Sequence, residues 1–369
     1  MDGVPRVCQP DEPVPPGHPF YVELTVLRND NVQPTLFRSF RATRDGEYTH
    51  RCVCGHRGSG KSTELLRFAG PAAELGYFAV SMEVFEHLGT VPLEFADLCM
   101  LIVQQLERVL AEFGERMPAD RVQDFAKWFS EIVREERDHS SSELQLEAEA
   151  QIGSTIPLLG KLIGKLQSGV KAGTTHATTV RTHLRQFPDS LLQRTNDLLD
   201  SANQTVRSLG YPRGLLLLFD QVDRYEPADV DHLFVQNHGL IRNLHCQAIY
   251  TIPIALHYQP ISGRLDDCYD SVLEVPMVVL REKGTLWTTT VETSLHDDAA
   301  VQGMTKVLRC RVGLPLFEAE PDLARMVRLS GGCVRDLLHI LRLAWEYSDE
   351  RFTTEAVSRG IAHGCDSRL

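Results

Sequence analysis

The stretch Gly55–Thr63, which reads GHRGSGKST, restricts this chain more than any other part of it. It fits the pattern G-x-x-x-x-G-K-[ST], in which a glycine-rich loop joins a strand to a helix. Glycine permits the backbone angles that let successive N–H groups converge on one anion. Residues 48–54 alternate as a short strand before the loop, and residues 62–69 continue as a helix after it. The stretch therefore predicts a P-loop that holds phosphate groups at a helix N-terminus.

The side chains of the loop suit a nucleoside triphosphate with Mg²⁺. Lys61 supplies a cation for the β- and γ-phosphates, and Ser62 supplies a hydroxyl group for the metal ion. The predicted nucleotide-binding residues are Gly55, His56, Arg57, Gly58, Ser59, Gly60, Lys61, Ser62 and Thr63.

A second stretch, residues 214–220, is an apolar run that ends in a carboxylate, Asp220. An uninterrupted apolar strand is typical of the centre of a parallel sheet that is covered on both faces. Ligands of such sheets bind at the carboxyl ends of the strands, which is where Asp220 lies. We therefore expect Asp220 to act as a Walker B aspartate on the Mg²⁺ that Ser62 contacts. The predicted fold class is α/β, a three-layer P-loop NTPase core with a parallel sheet.

The residue after Asp220 bears on hydrolysis. Many ATPases of this kind have a glutamate there, which activates the attacking water, whereas this chain has Gln221. An amide orients a water molecule but does not accept its proton. Asp223 is the nearest replacement carboxylate, and the alternative is a surface residue paired with Arg224. We predict an ATPase with weak or partner-dependent turnover.

Three further residues are candidates for sensing or completing the site. Thr251 ends a predicted strand over residues 246–253, where it either senses the γ-phosphate or merely finishes the strand. Arg264, in a following loop, is favoured over Arg281 as an arginine finger for a neighbouring subunit's nucleotide, and the alternative is a plain surface arginine. Arg335 lies one turn into a predicted helix, where it either swings over the γ-phosphate or is an exposed arginine on a capped helix.

Composition divides the chain into three predicted parts. Residues 1–33 contain a proline-rich arm, which we expect to be mobile unless docked. Residues 34–283 form the P-loop core, with a helical insertion over residues 138–210 that opens acidic and then becomes basic. Residues 284–369 form a helical lid. Its predicted helices are residues 299–311, 321–329, 333–347 and 354–363.

Residues 156–171 of the predicted insertion form a basic amphipathic pattern. The leucine, isoleucine and valine residues lie on one helical face, and Lys161 and Lys165 lie away from it. Such a helix can lie on an anionic membrane or dock on a partner. The alternative is an ordinary helix packed on the body, or half of a hairpin with one long helix over residues 178–208.

Bulk composition narrows the class of protein. The net charge of -12 argues against a surface that is devoted to nucleic acid, although a local basic patch stays possible. The nine cysteines are scattered and odd in number, which favours reduced, buried thiols. Because the N-terminal region has no basic start and no apolar run, we expect a cytoplasmic protein.

Taken together, these motifs resemble the AAA+ and STAND (signal transduction ATPases with numerous domains) P-loop NTPases. Residues 55–65 resemble the P-loop of a bacterial subgroup, and residues 217–224 resemble its second motif. Residues 329–338 and 352–357 resemble the helical lid of origin-recognition-like AAA+ ATPases. The resemblance implies ATP as the nucleotide, Thr251 as sensor 1 and Arg335 as sensor 2. Gln221 departs from the pattern of the family.

Three functions follow from these observations. The first is a nucleotide-driven switch, a regulatory ATPase of a bacterial signalling or defence system that acts on a protein partner or as a homo-oligomer. The second is a DNA-associated ATPase like the origin-recognition group, which the lid favours and the acidic balance opposes. The third is a scaffold that binds ATP without hydrolysing it and acts at membranes through residues 156–171.

Overall fold

The structure is a computed structural model that describes residues 7–89, 91–135, 158–259, 262–280 and 298–366. Its strands are β1 (His50–Cys54), β2 (Tyr77–Glu83), β3 (Gly214–Asp220), β4 (Gln247–Thr251) and β5 (Leu273–Glu274). The helices as far as β3 are α1 (Thr25–Arg28), α2 (Val32–Ala42), α3 (Lys61–Glu74), α4 (Val84–Leu88), α5 (Phe95–Glu112), α6 (Ala119–Glu135), α7 (Leu158–Lys171), α8 (Thr175–Gln186) and α9 (Pro188–Ser208). The later helices are α10 (Pro227–Asp231), α11 (His238–Arg242), α12 (Ile254–His257), α13 (Ser262–Tyr269), α14 (Asp298–Arg309), α15 (Pro321–Leu329), α16 (Val334–Glu346) and α17 (Thr354–Asp366).

The five strands form one sheet in the order β2-β3-β4-β1-β5. The pairs β2–β3, β3–β4 and β4–β1 are parallel. All seven residues of β3 are buried, as expected of a central strand with helices over both faces. This arrangement confirms the predicted α/β class with a parallel sheet, and the helices from α14 onwards confirm the all-α C-terminal region.

By the density of their contacts, the residues fall into two compact units. The first comprises the described residues of Met1–Thr35, Gly55–Phe68 and Glu274–Leu369. Its apolar core is built from α14 to α17, and Cys8 and Leu24 of the N-terminal region are buried in it. The boundaries of the three predicted parts stay predictions.

The second unit comprises Leu36–Cys54 and the described residues of Ala69–Leu273. Its core includes β2, β3 and β4 together with apolar residues of α5 and α9. Helix α9 packs directly on β3, and the Asn203 side chain accepts a hydrogen bond from the Leu215 N–H at 2.8 Å. This helix therefore fixes the start of the strand that ends in Asp220.

Three predicted elements differ from the structure. The single helix expected over residues 178–208 is two helices, because α8 ends at Gln186 and Pro188 begins α9. A proline disfavours helical geometry in the residue before it, and its missing N–H suits the first position of a new helix. The sequence pattern also predicts one strand over residues 272–280 and one helix over residues 230–244. In the structure the strand is reduced to β5, and the helix is divided into α10, a π-helical turn and α11.

The apolar face of α7 is covered by the protein itself. Helix α7 packs on α5, and both Ile163 and Leu166 are buried in the second unit's core. This is the packing of an ordinary helix on the body, so these two side chains are not offered to a membrane. Among the helices of the described ranges, none combines the length and the apolar character that crossing a bilayer requires. The acidic opening of the predicted insertion, residues 138–157, lies outside the described residues.

Candidate functional site

The P-loop of the first unit is curled by glycines that have positive φ. Gly58 and Gly60 have φ of 84° and 100°, backbone angles that residues other than glycine rarely adopt. The loop closes with a hydrogen bond from the Ser59 N–H to the His56 carbonyl at 3.1 Å, and α3 begins at Lys61. The predicted loop therefore ends at a helix N-terminus, where unpaired N–H groups favour an anion.

Lys61 folds back over the loop from which it projects. Its ammonium donates to the carbonyl oxygens of Gly55 at 2.8 Å and His56 at 3.0 Å, and the residue is buried. The Ser59 hydroxyl oxygen is also buried, and within the described residues it has no hydrogen-bond partner. A buried cation and an unsatisfied hydroxyl group beside a helix N-terminus fit the phosphates of a bound nucleotide.

A buried ion pair between Arg28 and Glu64 stabilises the P-loop. The Arg28 guanidinium contacts the Glu64 carboxylate at 3.2 Å and donates to the Ser59 carbonyl. Both side chains are about 95% buried, with 5% and 6% of their surfaces exposed. Gln33 adds hydrogen bonds to the backbone oxygen and the carboxylate of Glu64 at 2.7 and 3.1 Å. Arg28 thereby ties the loop to the first turn of α3.

Arg335 lies against the P-loop within the first unit. A β-carbon built on Gly58 would lie 2.6 Å from the Arg335 Cβ and 2.7 Å from the Cys333 Sγ. The Cys333 thiol points at the Arg57 carbonyl at 3.8 Å, and burial raises the pKa of this thiol to about 11, so it stays protonated as a donor. The start of α16 thus adjoins the loop, and a side chain at position 58 would disturb this approach.

The N-terminal region also contacts the P-loop and Arg335. Asp11 forms an ion pair with the Arg335 guanidinium, and the Val14 N–H donates to the Thr63 hydroxyl at 3.2 Å. Burial lowers the pKa of Arg335, while the neighbouring Asp336 carboxylate acts against this shift. The Asp11 carboxylate is therefore an anion that pairs with Arg335, the arginine that the sequence predicts to sense phosphate.

In the second unit, the strand register places two predicted residues at one edge of the sheet. Phe219 is paired with Tyr250 and Val53 with Thr251, so Asp220 and Thr251 lie level with the end of β1. Asp220 is buried, and one of its carboxylate oxygens accepts the Gln221 N–H at 2.8 Å. Asp220 is at the tip of its strand, as predicted, and β1 is the strand that leads into Gly55.

Thr251 and Asp223 are joined by a hydrogen bond. The Thr251 hydroxyl lies 3.3 Å from an Asp223 carboxylate oxygen and 3.5 Å from the Phe219 carbonyl. Asp223 lies in the single 3₁₀ turn Val222–Arg224 and is half-buried. Both are predicted site residues, and the structure brings them together at the ends of β3 and β4.

Gln221 makes contacts that the sequence does not foretell. Its side-chain oxygen accepts the Glu86 N–H at 3.3 Å, and its amide nitrogen donates to a Glu86 carboxylate oxygen at 3.2 Å. Glu86 belongs to α4, directly after β2, and the last residue of β2 is paired with Asp220. Glu86 therefore lies at the same edge of the sheet as Asp220.

Sequence reasoning missed several residues of this region. Glu64 follows the P-loop motif directly, and an acidic residue in the first turn of a helix is a readable signal. For Arg28, Asp11 and Glu86 no sequence pattern was available, because their partners are distant in the chain. Arg264, predicted in a loop as an arginine finger, instead lies exposed on helix α13, and Arg281 lies outside the described residues.

Comparison with known proteins gives likenesses to solved structures. No protein-family model and no curated protein matches the chain. The ORC2 protein of Aeropyrum pernix, in ADPNP–ADP complexes, is 13% identical with a TM-score of 0.45, and the match covers 97% of this chain and 71% of that one. A Walker-type ATPase of Pyrococcus abyssi is 13% identical with a TM-score of 0.43, covering 98% and 76%. The A. pernix ORC1 protein in complex with DNA is 14% identical with a TM-score of 0.40, covering 97% and 68%. At these values, none of the three assigns a ligand or an activity to this chain.

Proposed function

We propose that this protein is a P-loop ATPase of the AAA+ type that binds ATP with Mg²⁺, hydrolyses it slowly and works as a nucleotide-driven switch. The observation that carries the proposal is the folded loop around Lys61. The buried ammonium lies over the Gly55 and His56 carbonyls at the start of α3, beside the buried Ser59 hydroxyl oxygen. A phosphate group at this position would take the Lys61 ammonium from the two carbonyl oxygens and pair with its charge.

The residues of the P-loop and of the strand ends have separate roles in this proposal. The loop N–H groups and Lys61 would bind the phosphates, and Ser62 and Asp220 would be the protein ligands of the Mg²⁺ ion. The metal ion, when bound, neutralises charge on the phosphates. Thr251 senses the γ-phosphate from the end of β4. Its hydrogen bond with Asp223 provides a route by which that contact reaches the neighbouring strand end.

Arg335 acts as the element that distinguishes ATP from ADP. It adjoins Gly58 of the loop and is held by Asp11, an anion that a phosphate group can replace. Exchange of the Asp11 carboxylate for a phosphate would free the exposed segment around Asp11, so the bound nucleotide would alter a surface segment that a partner can contact. This exchange is what makes the protein a switch.

Calorimetric titration of Mg·ATP tests the assignment. Lys61→Ala removes the buried cation and is expected to weaken binding at least tenfold and to abolish the thermal stabilisation by ATP, which follows RT ln(1 + [L]/Kd). The matched control is Lys127→Ala, which removes an exposed lysine of α6 and should bind as the original chain does. Undiminished affinity in Lys61→Ala would contradict the proposed site.

The biological system in which the switch acts is proposed from sequence resemblance alone. The P-loop subgroup favours a cytoplasmic STAND-type regulatory ATPase of a bacterial signalling or defence system, acting on a protein partner or as a homo-oligomer. Native mass measurements with ADP, with a non-hydrolysable ATP analogue and without nucleotide would report nucleotide-dependent assembly. An identical mass apart from the ligand in all three states would contradict assembly as the output.

A DNA-associated ATPase is the second candidate, and the lid sequence at residues 329–338 favours it. Binding to phosphates would weaken steeply as salt rises, because counterions are released from the duplex. Titration of a fluorescent duplex at two salt concentrations separates the two candidates. Salt-sensitive binding that depends on ATP would favour this second function.

A further inference from the structure

We propose that the carboxylate that activates the attacking water is Glu86, and that Gln221 is the residue that positions it. The inference rests on the proposed ATPase function and deepens it. The resemblance implies a glutamate directly after Asp220, where this chain has a glutamine. The structure shows an amide at that position hydrogen-bonded to a glutamate from the neighbouring strand's end.

The backbone of Gln221 indicates a constraint at this point. Gln221 has φ of 67° and ψ of 12°, the left-handed conformation that a residue with a side chain adopts only at a cost. Residues held in such conformations cluster at functional sites. This conformation coincides with a hydrogen bond from the Gln221 N–H to Asp220, so the turn fixes the predicted metal ligand and the amide together.

Two hydrogen bonds fix the Glu86 carboxylate relative to Gln221. The amide oxygen of Gln221 accepts from the Glu86 backbone, and its nitrogen donates to the Glu86 carboxylate. Gln221 is buried, whereas the Glu86 side chain is exposed. Within the described residues, the Gln221 amide is the one hydrogen-bond donor found on the Glu86 carboxylate, and the residue is exposed to water. A carboxylate that is held by its neighbour and is accessible to water is a candidate general base.

Asp223, the carboxylate that the sequence favoured, has a different environment. One of its oxygens accepts the Thr251 hydroxyl, which also lies near the Phe219 carbonyl. That contact joins the ends of β3 and β4. We therefore assign Asp223 to holding the strand ends and to positioning Thr251.

The proposed step conserves atoms and charge. The oxygen of a water molecule bonds to the γ-phosphorus of ATP while the bond from that phosphorus to the β,γ-bridging oxygen breaks. The proton that the water loses passes to the Glu86 carboxylate and from there to solvent. The products are ADP and inorganic phosphate. Gln221 donates to Glu86 throughout and accepts no proton itself.

An exchange of the two side chains tests the inference in the full-length protein. Glu86→Gln replaces the carboxylate by an amide of the same shape, and single-turnover hydrolysis of Mg·ATP is expected to fall at least about 100-fold. The double variant Glu86→Gln/Gln221→Glu returns a carboxylate to the strand end. Its amide at position 86 can donate to the new carboxylate, and the backbone hydrogen bond is kept. Hydrolysis by the double variant is expected to recover to within about tenfold of the original rate.

Calorimetric binding of a non-hydrolysable ATP analogue keeps the two proposals distinguishable. If the original chain does not bind the analogue, the proposed ATPase function fails. If Glu86→Gln binds it within threefold and loses hydrolysis, and the exchange restores the rate, Glu86 is the base. Bound ATP that is not hydrolysed by the original chain, or an unchanged rate in Glu86→Gln, overturns the inference.

Two further variants complete the test. Asp223→Asn is expected to reduce hydrolysis less than Glu86→Gln, and a larger loss would return the role of base to Asp223. An exposed glutamate at the end of α5 provides the matched control, since Glu112→Gln removes the same charge from the same unit. A loss of hydrolysis in Glu112→Gln equal to that in Glu86→Gln would show that general charge is responsible and would contradict the inference.

Discussion

Removal of the charge on the buried side chain of Glu64 is expected to destabilise the first unit more than removal of the charge on an exposed glutamate. Glu64 is the counter-charge of Arg28, and both side chains are almost fully buried. In Glu64→Gln the guanidinium keeps its contact with the Ser59 carbonyl but loses the carboxylate. A buried charge left without its partner costs about 3–5 kcal/mol of unfolding free energy. Because a glutamine oxygen can still accept one hydrogen bond, we expect about 3 kcal/mol.

A double-mutant cycle separates the interaction from the cost of its parts. Arg28→Met is expected to cost less, about 1–3 kcal/mol, because Glu64 keeps a hydrogen bond from Gln33 at 3.1 Å. Arg28→Met combined with Glu64→Leu leaves no unpaired charge of this pair. The double variant should therefore be destabilised by less than the sum of the single variants, with a coupling of about 1–3 kcal/mol.

Urea denaturation followed by circular dichroism measures these differences, and the ATP affinity of each variant reports on the loop. Glu47→Gln is the matched control, because Glu47 pairs with Arg44 at 3.9 Å with 58% of its side chain exposed. Such a pair contributes less than about 0.5 kcal/mol. The reasoning is refuted if Glu64→Gln costs no more than Glu47→Gln.

Three other changes have defined expected outcomes. Burial lowers the pKa of His50 to about 4 from its ordinary 6.5. The free energy of unfolding therefore has its full value above pH 6.5 and falls by about 3 kcal/mol in all as the pH decreases towards 4. In acid denaturation, His50→Gln should remove that dependence on pH. Asp11→Asn frees Arg335 from its ion pair and should tighten ATP binding by up to about fivefold in calorimetry, as expected for an exposed carboxylate. Gly332→Ala should cost more than about 3 kcal/mol in urea denaturation, since its β-carbon would lie 1.9 Å from a carbonyl oxygen, whereas Gly331→Ala should cost about 1 kcal/mol.

Each of these three predictions has a result that would contradict it. For the histidine, an equally steep loss of stability between pH 6.5 and 4 in the variant would place the titration elsewhere. For the ion pair, Glu12→Gln is the control because it removes a neighbouring exposed charge, and equal tightening in both variants would indicate general charge. For the glycines, both have positive φ, of 62° and 85°, so equal costs would show that strain alone decides and that the carbonyl contact does not.

The sequence by itself determined the features that depend on neighbouring residues. The P-loop pattern predicted where α3 begins, because glycine angles and a helix N-terminus are properties of one short segment. The apolar run of β3 and the periodic C-terminal helices were predicted for the same reason. The single helix predicted over residues 178–208 was wrong, although Pro188 carries a local signal for the break between α8 and α9, because proline restricts the residue before it.

Only the tertiary structure decided which distant side chains meet. Gln221 and Glu86 are 135 positions apart, and Arg28 and Glu64 are 36 apart, so no local periodicity connects them. The order of the strands places Glu86 beside Gln221. Burial decides the pairing of Arg28 with Glu64, because a buried polar group is stable only where another polar group forms a hydrogen bond with it. The glutamine after Asp220 is a departure from a pattern when it is read in sequence. In three dimensions it is half of a hydrogen-bonded pair, because the parallel register of β2 and β3 brings Glu86 beside it.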